Sequence, residues 1–235
     1  MWLSYGLLTL ILVAGVVYSI SARKLTVIAA LTGAAVAILV FAGAGFTGLA
    51  MMTTFFILGS AATSVQGETK KDLNADQKGG RTTGQVLANA GTAALCGVLI
   101  LALPAHANIL QLMMAASFAS ATADTLSSEL GMVYGKRFFN IITLKPEVRG
   151  LDGVISVEGT LIGVIGSVII AIVCAIGMGW TTNFICIIVA GTLGNLTDSV
   201  LGAVFERKGL INNNSVNFLN TLIAALFMLL FYIVL

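Results

Sequence analysis

Charge is scarce in this sequence. Only 9% of its 235 residues are Asp, Glu, Lys or Arg, against about 25% in ordinary soluble domains. That excludes a water-soluble domain of usual composition. Histidine is nearly absent: His106 stands alone, so no histidine metal cluster exists. Cys96, Cys174 and Cys186 each fall in an apolar run, which excludes a disulfide or zinc framework and makes them small packing residues. The first apolar segment has neither a basic leader nor an A-x-A site, so it reads as a retained helix rather than a cleaved signal peptide. The dyad alternation of a membrane β-barrel is also lacking.

What is present is hydrocarbon. The chain is 58% hydrophobic, with a mean hydropathy of +1.02. About 20 apolar residues cross a hydrocarbon core roughly 30 Å thick. Eight segments of that kind can be read, at 2–20, 25–43, 46–65, 84–104, 109–130, 153–178, 183–204 and 216–235. The expected fold is all-α: a polytopic membrane helix bundle of about eight transmembrane helices, forming a single integral membrane domain over 1–235.

Basic residues mark cytoplasmic connections. Arg23 and Lys24 follow the first segment. Lys70, Lys71, Lys78 and Arg81 follow the third. Lys136, Arg137, Lys145 and Arg149 follow the fifth, and Arg207 and Lys208 the seventh. The remaining connections carry neither Lys nor Arg. Eight crossings put all twelve cations on one side. Both termini then lie outside and the basic loops are cytoplasmic, in a bacterial or archaeal inner membrane or an organelle membrane. A basic inner face suits an anionic ligand or anionic lipid headgroups. No nucleic-acid partner is expected.

The run SFASATADTLSSELG at 117–131 is out of place in such a chain. An acid at the bilayer centre costs about 2.5–3.5 kcal/mol on insertion scales. Asp124, Glu129, Glu158 and Asp198 nevertheless fall in the inner halves of their segments. Ser117, Ser120, Asp124 and Ser128 form one stripe at helical spacing, and Thr122, Thr125 and Glu129 a second. Gly191, Asn195, Asp198 and Gly202 share a face of the seventh segment; Gln85, Asn89, Thr92 and Cys96 share one of the fourth. A helix polar on two stripes belongs inside protein rather than against lipid. The segment 109–130 is therefore expected at the centre, with the fourth, sixth and seventh around it and a cavity open to the cytoplasm.

Clustered carboxylates among other oxygen donors suit a hard cation, and Mg²⁺ takes one or two carboxylates with waters and substrate phosphates. Lys70, Lys71, Lys78, Arg81, Lys136 and Arg137 border the same mouth and can hold phosphate oxygens. Gly79-Gly80 lets backbone amides approach a phosphate. Against these stand plainer roles. Glu158 can cap its helix, Gln85 and Asn89 can hydrogen-bond between helices, and close packing explains most of the 26 glycines. Two soluble motifs fail. DLNAD at 72–76 lacks the Gly and Glu of a calcium loop, and GMVYGKR at 131–137 is one residue short of a P-loop.

Four ordered blocks resemble a family of polytopic membrane proteins that includes the phytyl-phosphate kinases of plants and cyanobacteria. They are KGGRTTGQVLANAG at 78–91, ASATADTLSSELG at 119–131, GVISVEGT at 153–160 and GNLTDSVLGA at 194–203. The resemblance runs from about residue 66 to the C-terminus. It implies transfer of a phosphoryl group from a nucleoside triphosphate, CTP or ATP, to an isoprenyl monophosphate within the membrane. On that reading Asp124 and Asp198 hold Mg²⁺, and Glu129 is a third ligand or an orienting group. Lys78, Arg81, Lys136 and Arg137, with Gln85, Asn89 and Asn195, bind the nucleotide and acceptor phosphates. Two other readings compete: a lipid-phosphate cytidylyltransferase, whose C-terminal acidic signature is missing here, and an ion-coupled transporter.

Overall fold

The computed structural model describes residues 2–65 and 80–235. Lys70, Lys71, Lys78 and Gly79 lie outside the described residues. Seven α-helices make up the described chain: α1 (Trp2–Ser21), α2 (Val27–Ser64), α3 (Thr83–Ala102), α4 (Ala107–Tyr134), α5 (Val157–Met178), α6 (Asn183–Leu201) and α7 (Asn213–Val234). Two short strands, β1 (Phe138–Asn140) and β2 (Val154–Ser156), pair antiparallel between α4 and α5. Phe139 stands opposite Ile155. The fold is thus all-α in class, with a small two-stranded addition in the connection at 135–156.

Helix α2 joins two of the eight expected segments. A straight helix of its 38 residues would be about 57 Å long. Instead Gly45 adopts φ 58°, a left-handed value glycine takes without strain, and the chain folds back. Lys24 Nζ, just before the helix, donates to Ser64 Oγ at its far end, at 2.5 Å. The turn contains no charged residue. Gln111 Nε2 of α4 donates to the Gly43 carbonyl at 3.0 Å, which matters where no water can serve that oxygen.

Six of the described helices are long and apolar enough to span a membrane. The exception is α4, whose acids and hydroxyls lower its hydropathy. Its position explains how it is tolerated: it packs against α2, α3, α5, α6 and α7, and Ser117 through Ala123 are buried without a break. The central placement expected from its two polar stripes is what the structure shows. The ring around it includes α2 and α7 as well as the three expected neighbours.

Small residues let the helices close on α4. A Cβ at Gly191 of α6 would lie 2.7 Å from Ala119 Cβ, so only glycine fits that crossing. Without a hydrophobic force between helices in lipid, such close packing and interhelical hydrogen bonds hold the bundle. One such bond joins Thr92 of α3 to Thr221 of α7 at 2.9 Å. Around them Phe118, Met114, Met51, Ile170 and Met228 are fully buried in the core.

Candidate functional site

All the helix ends that carry described cations meet at one end of the bundle, and there a polar cavity of about 540 Å³ opens. Helix α4 supplies Asp124, Ser127 and Glu129 to it. Helix α6 supplies Asn195 and Asp198, α3 supplies Gln85 and Asn89, and Arg81 comes from the segment before α3.

Asp124 and Asp198 converge at its floor, their carboxyls within hydrogen-bonding reach of each other. Asn220 Nδ2 donates to Asp198 Oδ2 at 2.6 Å. With its amide turned so that the nitrogen faces the acids, Asn217 donates to Asp198 Oδ2 at 3.1 Å and to Asp124 Oδ2 at 3.3 Å. Two amides from α7 therefore clamp a carboxylate pair drawn from α4 and α6. Ser127 Oγ links the same helices, donating to Asn195 Oδ1 at 3.0 Å. Asn195 is buried.

Glu129 stands in a different corner. Its Oε1 accepts from Thr63 Oγ1 at 3.4 Å, and its charge faces Arg81. Arg81 Nη2 also donates to Thr63 Oγ1, at 3.4 Å. Burial pushes the Arg81 guanidinium below its ordinary pKa, and Glu129 acts against that shift; an arginine stays charged throughout. The three acids Asp124, Glu129 and Asp198 do not close into one ligand set: among the described residues no group of three or more His, Cys, Asp or Glu could hold a metal ion. The donor set that remains is a carboxylate pair with amide and hydroxyl oxygens. This hard-oxygen set fits Mg²⁺, which needs only one or two carboxylates when phosphates complete its shell.

Other expected residues are placed differently. Lys136 and Arg137 are exposed and do not line the cavity. The Lys136 amide donates to Glu158 Oε2 at 3.3 Å, and Glu158 too stays outside the lining. Gln85 spends its Oε1 on the Thr82 amide at 2.8 Å, closing a capping box at the start of α3. Asn89 Nδ2 turns back to the Gln85 carbonyl at 2.9 Å. Among the described residues neither side-chain amide forms an interhelical bond. The Arg81 amide is not open to a phosphate, since it donates to the Lys24 carbonyl at 2.9 Å. Gly80 serves that contact: its φ is 78°, and a Cβ there would lie 2.9 Å from the Arg23 carbonyl.

Several lining residues were not foreseen. Asn213 and Asn217 of α7 line the cavity, and Asn220 supports it from behind. Their spacing of four and three residues puts them on one helical face, a signal present in NNNSVNFLNT at 212–221. Asp152 and Glu206 also line it. Glu206 closes a π-turn at Gly202–Glu206, in which the Arg207 amide reaches the Gly202 carbonyl at 3.0 Å. Such turns often mark functional sites. Arg207 then fixes the opposite wall. Its Nη1 donates to Glu147 Oε1 at 2.7 Å, and its Nε and Nη2 donate to the Asp152 carbonyl.

Fold and site together define a polytopic helical membrane protein with an acid-floored cavity at one end of its bundle. Within that class the chain belongs to the integral membrane family DUF92, which it matches over residues 10–225. It is 36% identical over 188 residues to an uncharacterized membrane protein of Methanocaldococcus jannaschii, covering 80% of this chain and 77% of that one. An uncharacterized membrane protein of Synechocystis is 33% identical over 193 residues, covering 80% and 75%. The protein VTE6, chloroplastic, of Arabidopsis thaliana is 31% identical over 186 residues. That match covers 75% of this chain and 56% of VTE6, so the chain spans little more than half of that relative. No solved structure matches the chain.

Proposed function

We propose that the protein is a membrane phosphotransferase. It would move a phosphoryl group from a nucleoside triphosphate, CTP or ATP, to an isoprenyl monophosphate at the cytoplasmic mouth of the bundle. The observation that carries the reading is the carboxylate pair Asp124–Asp198, clamped by Asn217 and Asn220 at the floor of the cavity. Family membership and the four motif blocks support it.

Charge bookkeeping points the same way. The described lining holds five acids, Asp124, Glu129, Asp152, Asp198 and Glu206, and one cation, Arg81. Phosphates can settle there only with added positive charge. Bound Mg²⁺ would supply that charge and neutralise what develops on the transferred group. Asp124 and Asp198 would hold it, while Asn217 and Asn220 keep both carboxylates aimed. Arg81 would face the phosphate of the acceptor, with Glu129 and Thr63 fixing its fork. The acceptor oxygen is already anionic, so no general base is required. It attacks the γ-phosphorus, the bond from that phosphorus to the β–γ bridging oxygen breaks, and a lipid diphosphate and a nucleoside diphosphate leave.

Purified protein supplied with phytyl or geranylgeranyl phosphate, Mg²⁺ and CTP or ATP should yield the lipid diphosphate. Release of pyrophosphate instead would assign CMP transfer. Absence of either product, with substrate-driven ion flux in proteoliposomes, would assign transport and end the kinase reading.

A further inference from the structure

We infer that an apolar groove beside the polar cavity seats a single prenyl chain, whose terminal phosphate crosses to the cavity at Arg81. The inference rests on the lipid-phosphate reading above and adds where the tail lies.

The groove has a volume of about 700 Å³ and runs between the second half of α1, both arms of α2 and the start of α3. Its walls are hydrocarbon, among them Ile11, Ala37, Met52 and Phe56. Its lining along α2 from Met52 to Ser64 spans about 18 Å at 1.5 Å per residue. That is more than half of a hydrocarbon core roughly 30 Å thick, so a longer chain would continue into the leaflet. The cations of the groove, Lys24 and Arg81, both lie at its basic end.

Three residues, Arg81, Gln85 and Asn89, line the groove and the polar cavity alike. Arg81 stands astride the boundary. Its guanidinium lies 6.0 Å from the centre of the Phe55 ring, which belongs to the groove. Its Nη2 donates to Thr63, which belongs to the cavity. A planar fork of donors at that point suits a phosphate monoester. Gln85 and Asn89 are one turn apart, about 6 Å along α3. One chain ending in a phosphate suits so narrow a strip better than a glycerol carrying two acyl chains.

The groove also has unused room. A Cβ at Gly15 or at Gly33 would meet nothing within 4 Å, although both residues line it. A side chain at either position can therefore leave the backbone without a clash at its Cβ and take up part of the tail's space.

The test uses the full chain in lipid nanodiscs and a geranylgeranyl phosphate bearing a diazirine at the far end of its chain. After photolysis, mass spectrometry should place the label on groove residues such as Ala34, Met52 or Phe56. Unlabelled geranylgeranyl phosphate should reduce labelling at least tenfold, and phosphatidic acid less than twofold. Gly33→Phe and, independently, Gly15→Phe should each reduce it tenfold or more while thermal unfolding matches wild type. Label spread over the outer faces of α5 and α6, equal competition by phosphatidic acid, or full labelling in both filled variants overturns the inference. Label in the groove with no diphosphate formed from that lipid keeps the groove and overturns the transfer reading. Diphosphate formed with the label elsewhere does the reverse.

Discussion

Asn220 joins Ser120 to Asp198. Its Nδ2 donates to Asp198 Oδ2 at 2.6 Å, and its Oδ1 accepts from Ser120 Oγ at 3.1 Å. The Asn220 side chain is fully buried. Asn220→Leu would remove one donor from Asp198, which keeps Asn217, and leave Ser120 only the Asn220 backbone carbonyl at 3.4 Å, at about 0.5–1.5 kcal/mol for each lost bond. The variant should melt earlier in detergent and need more Mg²⁺ for half-maximal transfer. An unchanged melting temperature together with an unchanged Mg²⁺ requirement would remove Asn220 from the site.

Asp124→Asn and Asp198→Asn keep the size of the side chain and discard the charge. If the pair holds the metal, transfer should fall by more than the roughly 10–100-fold typical of an outer-shell partner. Expression and helix content should stay near wild type. Glu129→Gln should be milder toward Mg²⁺ and should raise the apparent KM for the lipid phosphate through Arg81. Equal losses in all three variants, with KM unchanged, would refute this division of roles.

Gly191 and Gly33 offer a paired packing test. Gly191→Leu forces a side chain into Ala119, where even a Cβ comes within 2.7 Å. Overpacking of this kind costs about 1–3 kcal/mol or more, and the protein should lose thermal stability. Gly33→Leu enters open space and should unfold at the wild-type temperature.

Glu147 gives a pH dependence. Hydrogen bonds from Arg207 and Asn140 hold its carboxyl below the usual glutamate range. A depressed carboxylate contributes stability above its unfolded pKa, about 4.3, and loses it as pH falls through the lower folded value. The wall at 138–156 should therefore resist proteolysis equally at about pH 7 and pH 5.5 and open only in more acid solution. Arg207→Gln should open it at neutral pH. Cleavage in that wall rising already near pH 6 would disagree with this assignment.

The parts that could be read from the sequence were those carried by local periodicity. The hydroxyls and acids of 117–131 have no place in lipid, and that alone puts α4 at the centre. The facing of Asp198 and Asn195 followed from their three-residue spacing on α6. What escaped was set by contacts far apart in the chain. The glycines before Arg81 looked like a phosphate cradle, yet Gly80 is shaped by the strand-like pairing of Leu25 with Arg81. Lys136 and Arg137 sit near the site in sequence, but the chain turns into β1 and leaves them facing outward. The asparagines of α7 were missed for a different reason. Their polarity hides the first turn of that helix from a hydropathy reading, which began it at 216 rather than at Asn213.

The fold-back at Gly45 carries a consequence for how this family can diverge. Lys24 and Ser64 meet because the two arms of α2 are matched in length. One residue added to a single arm would advance its end by about 1.5 Å and turn its faces by about 100°. It would part that contact and rotate Phe55 and Thr63 away from Arg81 together. Natural insertions should therefore be found at the hairpin only as compensating pairs, and otherwise be displaced to the connections outside it.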